Sequence, residues 1–194
     1  MIRLTTVLKT LACSAYFMLL LSCSGFHGGG NFHDAKMDFS SIQSVAVMPF
    51  ANLTRDTLAA ERVRNVFTTM LLSSGVLYVV PPGEVARGIS RAGTADPTAP
   101  SPEEVVKFAG IVKVDAIITG VVKEYGEVRS GTTSANIVSF SAQMQESQTG
   151  KVVWSASTTK GGIGMSDRLL GGGGRPMNEI TETAVNDILD KLFK

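Results

Sequence analysis

Thiols are nearly absent from this chain. Of its 194 residues only Cys13 and Cys23 are cysteine, and residues 24–194 have none. That removes disulfides, a thiol nucleophile and any cysteine-ligated metal from everything beyond Cys23, whatever the redox compartment. Histidine is as scarce: His27 and His33 are the only two, and both precede the first patterned segment at Ile42. A domain beginning there has no imidazole, the usual general base near neutral pH. No serine stands in a Gly-x-Ser-x-Gly elbow. Neither sign of charge dominates, since 18 Lys and Arg against 17 Asp and Glu give +1, and nothing favours nucleic acid as a partner. An unbroken run of about 20 apolar residues, the length needed to span a membrane as a helix, is also missing. The first apolar segment is interrupted at Thr10, Ser14 and Ser22. Glycine is the exception to scarcity, with 20 residues that fall in clusters.

What is present starts with that first segment. Arg3 and Lys9 give it a cationic start, an acid-free apolar run follows through Tyr16 to Leu21, and Ser22 stands directly before Cys23. This is the layout of a secretory leader. Leu20-Leu21-Ser22-Cys23 resembles the bacterial lipobox, in which the leader is cut before the cysteine and the thiol takes a diacylglycerol. A thiolate is the ordinary side chain best suited to that bond. The resemblance implies residues 1–22 as a signal peptide, cleavage between Ser22 and Cys23, and lipidation of Cys23. Each buried methylene is worth about 0.8 kcal/mol, so two or three chains anchor firmly where one does not. Ser24 in place of an aspartate resembles an outer-membrane address.

Loss of the leader leaves 172 residues, with sixteen basic and seventeen acidic side chains. That is enough for one well-cored domain. Residues 23–40 read as a lipid-anchored tether, because Ser24-Gly25-Phe26-His27-Gly28-Gly29-Gly30-Asn31 has no periodicity. Fully extended, its 17 residues after Cys23 would span at most about 55 to 60 Å. His27 and His33 have no well-placed third ligand and read as tether residues, so neither metal nor cofactor is expected.

Residues 41–194 read as one α/β domain. Five strands are expected: Val45–Phe50, Val76–Val80, Val114–Gly126, Thr132–Ser147 and Lys151–Thr158. Asn52 should hold the turn after the first strand with its own side chain. A helix over Thr57–Ser74, with Asp56 at its start and Gly75 at its stop, carries an apolar stripe through Val63, Phe67 and Leu71. A short helix covers Glu84–Ala92. Another begins at Ser101-Pro102-Glu103-Glu104 and reaches Ala109-Gly110. The last, from Pro176 onward, presents Met177, Ile180, Ala184, Ile188 and Leu192 to the core. Long crossovers make the early strands parallel. Tight turns, including Gln148-Thr149-Gly150, make the last three an antiparallel meander. The sum is a mixed five-stranded sheet with packed helices.

Few groups here invite chemistry. Glu103-Glu104 read as helix-start electrostatics, and Asp187 with Asp190 as a solvated helix side. Asp115 is expected to hydrogen-bond a loop backbone, and Trp154 to pack on the sheet. Gly171-Gly172-Gly173-Gly174 beside Arg175 has no Gly-Lys-Ser/Thr continuation and reads as a surface loop rather than a phosphate cradle.

The order of Val45-Ala46-Val47-Met48-Pro49-Phe50-Ala51-Asn52, the helix after it, Val114-Asp115-Ala116-Ile117-Ile118-Thr119-Gly120 and Thr149-Gly150-Lys151-Val152-Val153-Trp154 resembles a known superfamily. It comprises the TolB N-terminal domain, the curli-secretion protein CsgG, the exopolysaccharide-export lipoprotein PelC and the cell-wall-synthase activator LpoB. The resemblance implies a non-enzymatic lipoprotein on the periplasmic face of the outer membrane. Its implied role is a structural or assembly subunit of an envelope export system, with polysaccharide as one candidate cargo, an envelope-protein partner and homo-oligomers. The alternative is a regulatory lipoprotein that activates a cell-wall enzyme, although such proteins use a much longer tether. The turns at Glu127–Gly131 and Gln148–Gly150 are too short for the membrane-spanning hairpins of a CsgG-type pore.

Overall fold

The computed structural model describes residues 30–163 and 174–194. Its centre is a seven-stranded sheet of β1 (Asn31–His33), β2 (Ser44–Val47), β3 (Ala51–Asn52), β4 (Tyr78–Val79), β5 (Ala116–Ser130), β6 (Thr133–Glu146) and β7 (Val152–Gly161). The strand order is β1-β7-β6-β5-β2-β4, with β3 pairing the far part of β5. Strands β2, β3 and β4 join by parallel pairing, whereas β5, β6, β7 and β1 are antiparallel. The mixed sheet, its meander and its packed helices are thus as the sequence implies.

Two short strands add to the five expected. Strand β3 resumes the line of β2 after Pro49, and Met48 N and Leu53 N donate to Ile118 O and Val122 O on either side of it. Strand β1 corrects the tether boundary. Residues 31–33, read as linker, pair with β7 through Asn31↔Ala156, Phe32↔Ser155 and His33↔Trp154. A 3-10 turn, Phe39–Ser41, follows, capped by the Asp38 carboxylate. All three residues of β1 are exposed, so backbone pairing rather than an apolar pattern holds this strand in place.

Helices α1 (Ala59–Ser74) and α4 (Met177–Leu192) cover one face of the sheet. Their buried side chains, among them Phe67, Leu71, Ile180 and Ile188, meet Val45, Ile118, Phe140, Met144 and Trp154 from the strands. Helices α2 (Pro82–Ala92) and α3 (Pro102–Val112) pack on the other face at β2 and β5, around Met48, Val85, Phe108 and Ile117. Asp56 does not cap α1 directly. Its Oδ1 accepts from Leu58 N, one residue before the helix, and its Oδ2 pairs with Arg62. Asn52 Oδ1 accepts from Thr54 N at 3.0 Å, which closes the turn after β3. Helix α3 runs past Gly110 and stops at Lys113, a non-glycine residue in the left-handed region at φ 62°. Gly150 also has positive φ, at 70°, in the β6–β7 turn, where a Cβ would lie 2.4 Å from Pro102 O. The turn is therefore seated against the start of α3.

Candidate functional site

The lipidation and cleavage residues Cys23 and Ser22, together with His27 and Gly171–Gly173, lie outside the described residues. The other residues singled out in the sequence divide among structural clasps. Asp115 Oδ2 accepts from Gln43 N, Ser44 N and Ser44 Oγ at 3.0, 2.9 and 2.7 Å. The Ser44 hydroxyl leads in holding its pKa below the usual carboxylate value, against a smaller opposing effect of burial. As expected, this acid ties a loop backbone to the start of β5. Glu104 closes a reciprocal capping box with Ser101, and its carboxylate also accepts from Ala95 N at 2.8 Å. Both Glu103 and Glu104 stay ionised readily because backbone amides and Ser101 donate to them. Gly174 packs against Ala135 and Asn136 of β6, while Arg175 pairs with Glu179 on α4. Neither arrangement cradles a phosphate. Among the described residues no group of three His, Cys, Asp or Glu is placed to hold a metal.

Asp187 differs from its expected place on a solvated helix side. Its two oxygens each accept from a lysine at 2.7 Å, Lys160 of β7 and Lys191 of α4. Lys191 Nζ also donates to Ser157 O at 2.9 Å. Burial raises the Asp187 pKa, but hydrogen bonds from Lys160, Lys191 and Thr158 win and lower it to about 2. The spacing of Asp187 to Lys191 is visible in the sequence, whereas Lys160 is brought in by the fold.

The N-terminal strand and the C-terminal helix meet at one carbonyl. Lys191 O accepts from Trp154 Nε1 at 3.2 Å and lies 3.0 Å from His33 Nε2. Trp154 is fully buried, as its mid-strand position implied, and its polar edge is satisfied by a helix end. His33 stacks at 5.3 Å on Phe39. Phe39 in turn forms one wall of a groove of about 490 Å³ with Ile42, Leu77, Met144, Leu192 and Phe193. Two of the apolar side chains lining it are well exposed, Val76 at 60% and Phe193 at 42%. Scattered exposed apolar residues are ordinary, whereas those that line a groove give it an apolar surface open to solvent. This surface was not legible in the sequence, because its members come from four separate segments.

The polar residues singled out thus serve the fold, and the groove beside Phe39 is lined largely by apolar side chains. No curated protein matches this chain. The solved lipoprotein GNA1162 from Neisseria meningitidis is 23% identical over 78% of this chain and 98% of its own, with a TM-score of 0.56. A PelC dodecamer from Paraburkholderia phytofirmans is 15% identical over 84% and 96%, also with a TM-score of 0.56. The LpoB C-terminal domain from Salmonella enterica is 15% identical over 60% and 81%, with a TM-score of 0.47. At such identities the first two likenesses show a common fold. The family model described as "Putative lipoprotein GNA1162-like" matches residues 33–193. Since that span takes in the whole described domain from the last residue of β1 onward, this chain belongs to the GNA1162-like lipoprotein family.

Proposed function

We propose that the chain is a non-enzymatic lipoprotein of the outer membrane, facing the periplasm. In this reading it is cleaved between Ser22 and Cys23 and anchored by acyl groups on Cys23. There it acts as a structural or assembly subunit of an envelope export system, self-associating and docking to a partner in that envelope, with an exported polymer such as polysaccharide as cargo. Family membership supports the lipoprotein character, and the shared fold with a dodecamer supports self-association. The observation that carries the choice of role is the docking of β1. It leaves seven residues between Cys23 and Asn31, which can span at most about 25 Å, in place of the 17 of the expected tether. A subunit that works beside its own membrane needs no more. An activator reaching across the periplasm to a cell-wall synthase needs far more, and that makes it the weaker reading.

The test is cross-linking of the acylated protein in intact cells, followed by mass spectrometry, with Cys23→Ser as the control. Recovery of homo-oligomers together with an outer-membrane exporter is the expected result. Recovery of a monomer joined to a cell-wall synthase would replace the assembly role with the regulatory one. Equal fatty-acid labelling of the wild type and Cys23→Ser would remove the anchor.

A further inference from the structure

Strand β5 has neighbours on both sides over only its first half. Strand β2 covers Ala116–Ile118, β3 covers Val121 and Val122, and Leu53 N donates to Val122 O. From Lys123 to Ser130, β5 pairs with β6 alone among the described residues, and its other side is an open strand edge. The register shift between Val122 and Glu124 changes which residues face that edge. Beyond the shift Ser130↔Thr133 closes a turn of two residues, and the closing pair of such a hairpin exchanges its hydrogen bonds. By alternation Val128 and Gly126 bond to β6, whereas Tyr125, Glu127 and Arg129 direct their N–H and C=O groups to the open side. Unpaired edges of this kind recruit another strand unless charge or a bulge prevents it.

The charges on this edge select one partner strand instead of repelling every one. Glu127 and Arg129 are exposed on the same face of β5, and Arg129 Nη2 donates to Glu127 Oε2 at 2.9 Å. Hydrogen bonds from Ser134 and Arg129 hold the Glu127 carboxyl below the usual carboxylate range, so it is charged near neutral pH. We propose that this edge pairs antiparallel with the same edge of a second copy, Val128 lying opposite its own counterpart. Glu127 of each copy then faces Arg129 of the other, in two hydrogen-bonded pairs of opposite charge, and Gly126 faces Ser130. Neighbouring registers fail on the same residues. Centring the pair on Glu127 or on Arg129 sets a charge against itself, and centring it on Gly126 sets Lys123 against Arg129. Centring it on Tyr125 brings Val128 against Val122, whose edge Asn52 and Leu53 already occupy. A parallel pairing would set every charge beside its own kind. The contact runs from Tyr125 to Gly131 of each copy, less than a stable dimer of free molecules needs. It therefore rests on the reading of the chain as an anchored, self-associating lipoprotein, because anchors in one membrane supply the local concentration. The twofold axis stands normal to the sheet, so both anchors enter one membrane when the sheet lies along it. The layer of helices between is about 10 to 12 Å thick, within the reach of the residues between Cys23 and Asn31.

The test is disulfide trapping, under a mild oxidant, in intact cells that make the full-length acylated protein. Position 128 would be a non-hydrogen-bonded pair on the axis, with Cα atoms about 4.5 Å apart, a separation that a disulfide accepts. Because residues 24–194 contain no cysteine and acylation consumes the Cys23 thiol, Val128→Cys and Ser130→Cys each carry a single thiol. Val128→Cys is expected to give several-fold more disulfide-linked dimer than Ser130→Cys, which stands two residues off the axis. Adding Glu127→Arg to Val128→Cys sets arginine against arginine and should reduce the trapped dimer several-fold. Adding Glu127→Arg together with Arg129→Glu should restore it. The emission of the buried Trp154 verifies that each purified variant is folded. A second readout leaves Val128 in place: the dimer caught by an amine-reactive cross-linker should fall several-fold with Glu127→Arg and return with the double exchange. Equal trapping at positions 128 and 130, or a dimer indifferent to both charge changes, overturns the pairing. Wild-type homo-oligomers caught by the amine cross-linker, alongside a Val128→Cys protein that stays monomeric, defeat this edge alone. Wild type recovered only as monomer defeats the self-association and the edge together.

Discussion

Replacing Asp187 with asparagine should destabilise the domain by an amount that depends on pH. The carboxylate is 26% exposed and lies 2.7 Å from both Lys160 and Lys191. Its pKa falls from 3.8 to about 2 on folding, because those lysines and Thr158 outweigh the cost of burial. A group whose pKa is depressed by folding stabilises above its unfolded value and loses that contribution as pH drops through its folded one. The shift corresponds to about 2 kcal/mol at neutral pH, with roughly half of it left at pH 3. Partial exposure trims this figure. The assay is urea unfolding of the mature chain carrying Cys23→Ser, with and without Asp187→Asn. Trp154, the only tryptophan and bonded to the carbonyl of Lys191, serves as the reporter. The stability gap between the two proteins should shrink by about 1 kcal/mol between pH 6.5 and pH 3. A gap that is constant over that range, or that widens toward acid, would refute the ion-pair account of Asp187.

Three other substitutions follow from the packing. Gly88→Ala would place a Cβ 2.3 Å from Val112 Cγ2 and 2.8 Å from the Phe108 ring. It should cost about 1–3 kcal/mol in denaturant unfolding by forcing α2 away from α3. Asp115→Ala strips the acceptor from the amides of Gln43 and Ser44. It should cost about 1–3 kcal/mol and accelerate hydrogen exchange at those two amides before the rest of β2. Ser101→Ala removes the capping box of α3 and should lower stability by about 1 kcal/mol in the same titration.

The elements with a buried face were legible because burial imposes a period on the sequence. Val63, Phe67 and Leu71 mark α1, and Phe140, Ala142 and Met144 mark β6. Strand β1 left no such trace, since Asn31, Phe32 and His33 are all exposed and are held by hydrogen bonds that any side chain permits. The length of β5 was hidden for a related reason. Glu127 to Ser130 read as part of a turn, yet backbone pairing with β6 continues to Ser130↔Thr133 and leaves only Gly131 and Thr132 between the strands. Single clasps could be anticipated when their partners were close in sequence, as with Ser101 and Glu104. Lys160 with Asp187, and Phe39 with Phe193, are brought together only by the closed fold. The apolar end of the domain therefore had no signature to read.

The seating of β1 sets an order on how the molecule can be made. Its hydrogen-bonding partners lie in β7, more than 120 positions later, and His33 closes on Lys191, 158 residues away. Such distant pairings must close a very large loop before they gain anything, and they form late for that reason. While the C-terminal portion is still arriving, the edge of the sheet has no β7 to receive the first strand. The first strand of the sheet is thus the last to be seated, and it waits on the final third of the polypeptide.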